Sequence, residues 1–226
     1  MVNYSKTLAL TRYEGEQMKT REELLAKLEK GEDFEYLFFW DEPKKDVVDI
    51  ACLNQWYAAE FTEYEEHGTT GYYNHFATAE HYMMYEKAAI FYDWDSAREI
   101  LQTKSPREVQ LLGRAVKGFK EEVWQNASFN VVVYGNLLKF RQNSELLEYL
   151  LATGDKVLVE ASPIDSIWGV GLHKDDARAL NPKEWLGENK LGFALMEARE
   201  ILREEEQQNN RAKIIYEKKR LAKEEK

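Results

Sequence analysis

An acid and an amine share one apolar helical face between residues 78 and 87, which read Thr-Ala-Glu-His-Tyr-Met-Met-Tyr-Glu-Lys. Glu80 and Lys87 are seven residues apart, about two turns at roughly 3.6 residues per turn, so their side chains point the same way. Met84 lies between them and Phe91 follows one turn later. Charges set in an apolar stripe are costly unless they pair or react. The pattern therefore predicts either a salt-bridged core helix or a reactive pair: a carboxyl for proton transfer and a lysine whose burial frees its amine.

A second group with chemical potential is Glu160-Ala-Ser-Pro-Ile-Asp165-Ser-Ile-Trp168-Gly-Val-Gly171. An acid three residues before a tryptophan, in a glycine-rich loop that follows a strand, suits a ligand clamp; the plainer reading is a loop pinned by a buried Trp. Of the four histidines, His81 falls on the candidate helix with no His or Cys at metal spacing, so a hydrogen-bonding role and no metal are expected. The single cysteine, Cys52, excludes an internal disulfide and a CxxC zinc site. No dinucleotide or P-loop glycine pattern occurs.

These residues must be held by a frame, and 226 residues with 44% hydrophobic content suffice for one large domain. Periodicity predicts a mainly α fold with a few short β-strands (α+β). A short helix runs from Thr20, its cap, to Gly31, its stop. Residues 34–40 read as a buried strand, and a weaker strand or helix leads to Asn54. Residues 61–75 form a hairpin turning at Gly68, Thr69 and Thr70. Helices follow from Thr78 to about Tyr92, from Asp95 or Ser96 to Lys104, from Ser105-Pro106 to about Lys117, from Lys120 to Gln142, and from Ser144 to Ala152. Residues 156–160 are a strand, 161–187 a long loop anchored by Trp168 and Trp185, and 189–206 a helix. Three regions result: residues 1–33 as an extension with a short helix, 34–206 as the domain, and 207–226 as a charged tail. The net charge of −10 argues against non-specific binding to nucleic acid, while leaving room for a local pocket that takes one phosphorylated nucleotide. With no signal-like opening and no apolar run of about 18 residues, a soluble cytoplasmic protein is expected.

Several short motifs recur in a fixed order: Glu80-His81-Tyr82, Gly113-Arg114, Lys139-Phe140, Leu150-Leu-Ala-Thr-Gly154, Leu158-Val-Glu160, Asp165-Ser-Ile-Trp168-Gly, and Asn189-Lys-Leu-Gly192 running into Leu195-Met-Glu-Ala-Arg199. The set resembles the YbiA-like, or NADAR, family over roughly residues 36–203. The resemblance implies an N-glycosidase without cofactor. It would act on a phosphorylated ribosyl or ADP-ribosyl substrate: ribosylamino-pyrimidine phosphates of riboflavin synthesis, or ADP-ribosylated guanine, including guanine in nucleic acid. A non-catalytic module that binds ADP-ribose or a nucleotide is the alternative. Glu80 and Asp165 are the carboxylates it supports. Breaking an N-glycoside through an oxocarbenium-like state needs such a pair; opening the sugar instead would let Lys87 form an imine. Trp168 is expected to stack on the base or ribose. Arg114 and Lys139 are candidates for phosphate contact, or else surface ion pairs. Asn189 is expected to bond the ligand or cap the last helix.

Overall fold

The computed structural model describes residues 18–224 except 43, 45, 46, 68 and 69; it also leaves out the side chains of 66, 67, 70, 214, 215 and 217–224. Residues 1–17, the turn at Pro43 and the turn positions Gly68 and Thr69 named above thus lie outside the described residues.

Seven helices and four short strands form the described residues, a mainly α member of the α+β class. The helices are α1 (Arg21–Glu29), α2 (Ala79–Ile90), α3 (Trp94–Gln102), α4 (Pro106–Arg114), α5 (Glu121–Arg141), α6 (Ser144–Ala152) and α7 (Lys190–Glu224). The strands are β1 (Tyr36–Phe39), β2 (Phe61–His67), β3 (Thr70–Phe76) and β4 (Val157–Glu160). β1 pairs parallel with β4 from Tyr36↔Val157 to Phe39↔Glu160. β2 and β3 form an antiparallel hairpin from Phe61↔Phe76 to His67↔Thr70. No described helix is long and apolar enough to cross a membrane.

Local chemistry explains the boundaries. Thr20 accepts from the Glu23 amide at 3.2 Å and starts α1. Leu24 on α1 is fully buried, and Arg21 donates to the Pro182 carbonyl at 2.8 Å, so this part of the N-terminal extension is docked on the body. The stretch before Asn54 is neither strand nor α-helix but a 3₁₀ turn, Ile50–Leu53, capped by Asp49. α4 stops at Arg114 rather than Lys117, because the Lys117 amide is captured at 2.9 Å by Asp93, the residue that caps α3. The long loop folds on itself: Trp185 is buried and its indole N–H donates to the Ala179 carbonyl at 2.8 Å.

α2 is the hub, packed against α3, α4 and α5, while α7 lies against α5 and β4. From Leu191 to Leu202, α7 is buried on nearly every side; it continues as a helix to Glu224 through the stretch read as a charged tail, exposed over residues 207–213. Its entry is tight. A Cβ on Gly192 would stand 2.0 Å from the Leu158 carbonyl oxygen of β4 and 2.5 Å from Asn189 Nδ2. Neither neighbour can retreat without parting helix from strand. Gly192→Ala is accordingly expected to destabilise the fold by about 3 kcal/mol or more in urea denaturation; a change under about 0.5 kcal/mol would contradict this packing.

Candidate active site

Thr78 caps α2 and fixes where Glu80 sits. Its hydroxyl accepts from the His81 amide at 3.4 Å and lies 2.8 Å from His81 Nδ1. His81 Nε2 donates to the Thr103 carbonyl at 3.0 Å, which ties the start of α2 to the end of α3. Burial holds the His81 pKa below its usual value, in keeping with a neutral ring that joins two elements. The Glu80 amide donates to the Gln55 carbonyl at 3.0 Å, so the first turn of α2 is also stitched to the segment after the 3₁₀ turn.

Glu80 is 3% exposed, and its Oε1 has no hydrogen-bond partner among the described residues. Burial, and after it the charge of Asp165, raises its pKa to about 8; a hydrogen bond from Trp56 and the charges of Arg114 and Lys87 oppose the rise. Three further sequence candidates, Lys87, Asp165 and Arg114, are thereby within electrostatic reach of the Glu80 carboxyl. Gly113 is one reason. A Cβ there would come within 1.9 Å of Met84 Sδ, so α4 approaches α2 at the residue between Glu80 and Lys87, and brings the exposed Arg114 with it.

Glu80 and Lys87 form no ion pair among the described residues; each is the weakest influence named for the other. The Lys87 ammonium stands 4.3 Å from the centre of the Phe119 ring and 5.5 Å from that of Trp124. Burial lowers its pKa, with Glu121 opposing. Asp165 is held by its own loop: Oδ1 accepts from the amides of Ile167 at 2.9 Å and Trp168 at 2.8 Å. Trp168 is half-buried against the core, so the Asp-x-x-Trp spacing works as a closed turn that orients the acid.

Two sequence candidates are fully buried and bonded to backbone groups of the frame. Lys139 is fully buried, and its ammonium donates to the carbonyls of Cys52 at 2.7 Å and Asn54 at 3.0 Å. Its pKa falls to about 8 through burial. It is no surface ion pair: its ammonium sits as a pin under the 3₁₀ turn. Asn189 is also fully buried; its side chain accepts from the Glu160 amide and donates to the Leu158 carbonyl, both at 2.9 Å. With φ at +58°, it bends the chain from the loop into α7 and joins that bend to β4.

Two residues to which the sequence assigns no role lie near Glu80. Glu160, at the end of β4, has a buried Oε2 without a partner among the described residues. Burial first, then Asp165 and Glu80, raise its pKa to about 8, so three carboxyls meet here. The available signal was a lone acid closing an otherwise apolar strand. Trp56, 46% exposed, opposes the rise in the Glu80 pKa and follows Gln55, whose carbonyl accepts the Glu80 amide. Its position beyond an irregular segment gave no periodic signal.

A buried protonatable carboxyl, a desolvated amine, an anchored aspartate and an exposed guanidinium thus lie near one another, the group types that acid–base chemistry uses. A family model described as the NADAR domain matches residues 38–203, and this chain belongs to that family. N-glycosidase R617 of Acanthamoeba polyphaga mimivirus is 38% identical over 168 residues, covering 73% of this chain and 95% of that protein. The chloroplastic riboflavin biosynthesis protein PYRR of Zea mays is 38% identical over 141 residues, 58% of this chain and 21% of that one. The NMR structure of the Escherichia coli protein YbiA superposes with a TM-score of 0.58 at 26% identity, over 77% of this chain and 89% of that one.

The burial of Lys139 carries a prediction. Lys139→Met leaves two carbonyls without their donor and should cost about 1–3 kcal/mol of stability. Turnover should fall at least about tenfold through misplacement of the Gln55–Glu80 contact. Competitive inhibition by inorganic phosphate should stay as in the wild type; loss of that inhibition with stability intact would make Lys139 a phosphate ligand after all.

Proposed function

We propose that this chain hydrolyses the N-glycosidic bond between a phosphorylated ribose, or an ADP-ribose, and a nucleobase-like amine. The observation that carries the reading is Glu80: a buried carboxyl with one unpartnered oxygen and a pKa pushed up to about 8, beside Asp165, Lys87 and Arg114. An acid protonated at neutral pH is what a departing base requires. The relatives named N-glycosidase support the reaction class, and the name of the maize protein supports a riboflavin-pathway substrate. Both candidate substrates, a ribosylamino-pyrimidine phosphate and ADP-ribosyl-guanosine, share a ribose C1–N bond beside phosphate, which is the part these residues address. A purely binding module would be favoured by Glu80 locked to Lys87; no such pair forms among the described residues.

In this reading Glu80 gives its proton to the nitrogen of the base as the C1–N bond breaks. Asp165 steadies the positive charge that develops on the sugar, or holds the ribose hydroxyls or the water. Arg114, exposed at the end of α4, meets the phosphate. Lys87 has one of two tasks. It either positions the substrate by charge, or its amine adds to C1 of the opened ribose and expels the protonated base; water then releases the aldehyde and restores the amine.

Three outcomes test this. Chromatographic assay over both substrate classes should show release of base by the wild type from at least one; Glu80→Gln should abolish release while keeping the fold. With a buried acid replaced by a neutral amide, that variant should also be more stable at pH 7 by about 1–3 kcal/mol. Full activity in Glu80→Gln would remove Glu80 from the mechanism. The sign of the pH dependence follows from the raised pKa: the acid form persists up to about pH 8, so kcat/KM should be lost as pH rises through that value. A profile that instead falls with acid below pH 6 and is flat above would require an ionised Glu80. Borohydride with substrate present should leave a Lys87 adduct if the imine route operates; its absence, with turnover intact, assigns Lys87 to positioning.

A further inference from the structure

Lys87 is held by rings rather than by opposite charges. Its ammonium stands 4.3 Å from the centre of the Phe119 ring and 5.5 Å from that of Trp124, and among the described residues it donates to no carboxylate or carbonyl. Phe119 is 39% exposed, so burial alone does not explain its place. The turn that carries it is built. Oδ2 of the buried Asp93 accepts from the Ser96 hydroxyl at 2.7 Å and from the Lys117 amide at 2.9 Å, which locks the segment between α4 and α5 to the start of α3. Gly118 follows at φ +71°, a left-handed bend that glycine makes without strain. The Phe119 ring then meets Phe91 near edge-on, with 5.3 Å between centres and 63° between planes. Phe91 closes α2 one turn beyond Lys87, so the helix that bears the ammonium also braces the ring that receives it.

Glu80 and Lys87 are separated along α2 by a rise of roughly 10 Å, a gap that two long side chains on one face can narrow. A pair so formed would draw the proton from Glu80. A ring face gives the ammonium a neutral partner instead, attracting its charge without adding a counter-charge or taking its N–H groups in directed bonds. We propose that Phe119 is a positioning residue of this site: its ring holds the Lys87 side chain apart from Glu80 and leaves the N–H groups of that lysine for the substrate. The inference rests on the N-glycosidase reading for its effect on turnover, but not for the contact between ring and ammonium. Phe119 touches no reacting atom and acts only through Lys87.

Two arms test this, one of them free of turnover. Proton NMR follows the Lys87 ε-methylene, assigned by its loss in Lys87→Met. Held over a ring face, it should resonate upfield of the other lysines. Phe119→Leu keeps an apolar side chain and removes the ring; it should reduce that displacement by more than about half, with Trp124 supplying the remainder, while Phe119→Tyr keeps it. In the second arm, kcat/KM should fall about tenfold in Phe119→Leu and return to within about threefold of wild type in Phe119→Tyr. In a Lys87→Met background, Phe119→Leu should change the residual rate by less than about twofold, because the lysine through which it acts is gone. A structural role would lower both backgrounds alike. Circular dichroism checks folding, and Phe119→Met replaces Phe119→Leu if the latter does not fold. If Lys87→Met has no residual rate, the NMR displacement and the rescue by Phe119→Tyr decide. A Lys87 signal unmoved in Phe119→Leu overturns the proposal, as does a tenfold loss that persists in Lys87→Met. If the wild type cleaves neither substrate while the Lys87 signal follows Phe119, the hydrolase reading fails and the placement of Lys87 by Phe119 stands.

Discussion

Burying the carboxyl of Glu80 next to a second carboxylate, with one oxygen left unpartnered, is the constraint around which this fold is arranged. An ionised carboxylate in that position would be costly, so the group keeps its proton through the neutral range. The fold spends stability on this. In the unfolded chain Glu80 ionises in the ordinary carboxylate range, whereas the folded chain holds its proton to about pH 8. Between those limits the folded state binds more protons than the unfolded, and stability falls as pH rises. Glu160 adds to the same debt at the end of β4.

The surrounding elements serve to keep that carboxyl in place without neutralising it. The Thr78 cap and the His81 bridge fix the start of α2, and Gly113 lets α4 close over Met84. Asn189 ties the turn into α7 to β4, so the loop bearing Asp165 returns to the strand that ends in Glu160. Lys139 holds the turn on the other side. None of these contacts gives Glu80 a cationic partner at close range. A salt bridge would remove the acid, and the positive groups present, Lys87 and Arg114, act only weakly on its pKa.

How much of this is readable from the chain depends on the range of the interaction involved. α2, α5, α6 and β4 are legible because caps, apolar period and stop signals are local. The facing of Glu80 and Lys87 follows from helical spacing alone, and the Asp165–Trp168 turn from a three-residue motif. Lys139 is not legible in the same way. A lysine beside a phenylalanine on a helix gives no sign that its ammonium lies against carbonyls 87 and 85 residues away. Asn189 at a helix start reads as a cap, yet its positive φ and the proximity of β4 turn its amide to the strand backbone. Trp56 and Glu160 lie on a 3₁₀-flanked turn and at a strand end, where no period points, and only tertiary packing brings them to Glu80. Resemblance to the NADAR family reached the reaction class sooner than residue chemistry did, but not the division of labour between ligand-facing and framework residues.

The central claim is most directly tested by carbon-13 NMR of the glutamate carboxyls, with Glu80 assigned by loss of its signal in Glu80→Gln. The account requires a titration midpoint for Glu80 near 8 that moves down when Asp165 is replaced by Asn. A midpoint close to the ordinary 4.5, unmoved by that replacement, would contradict it.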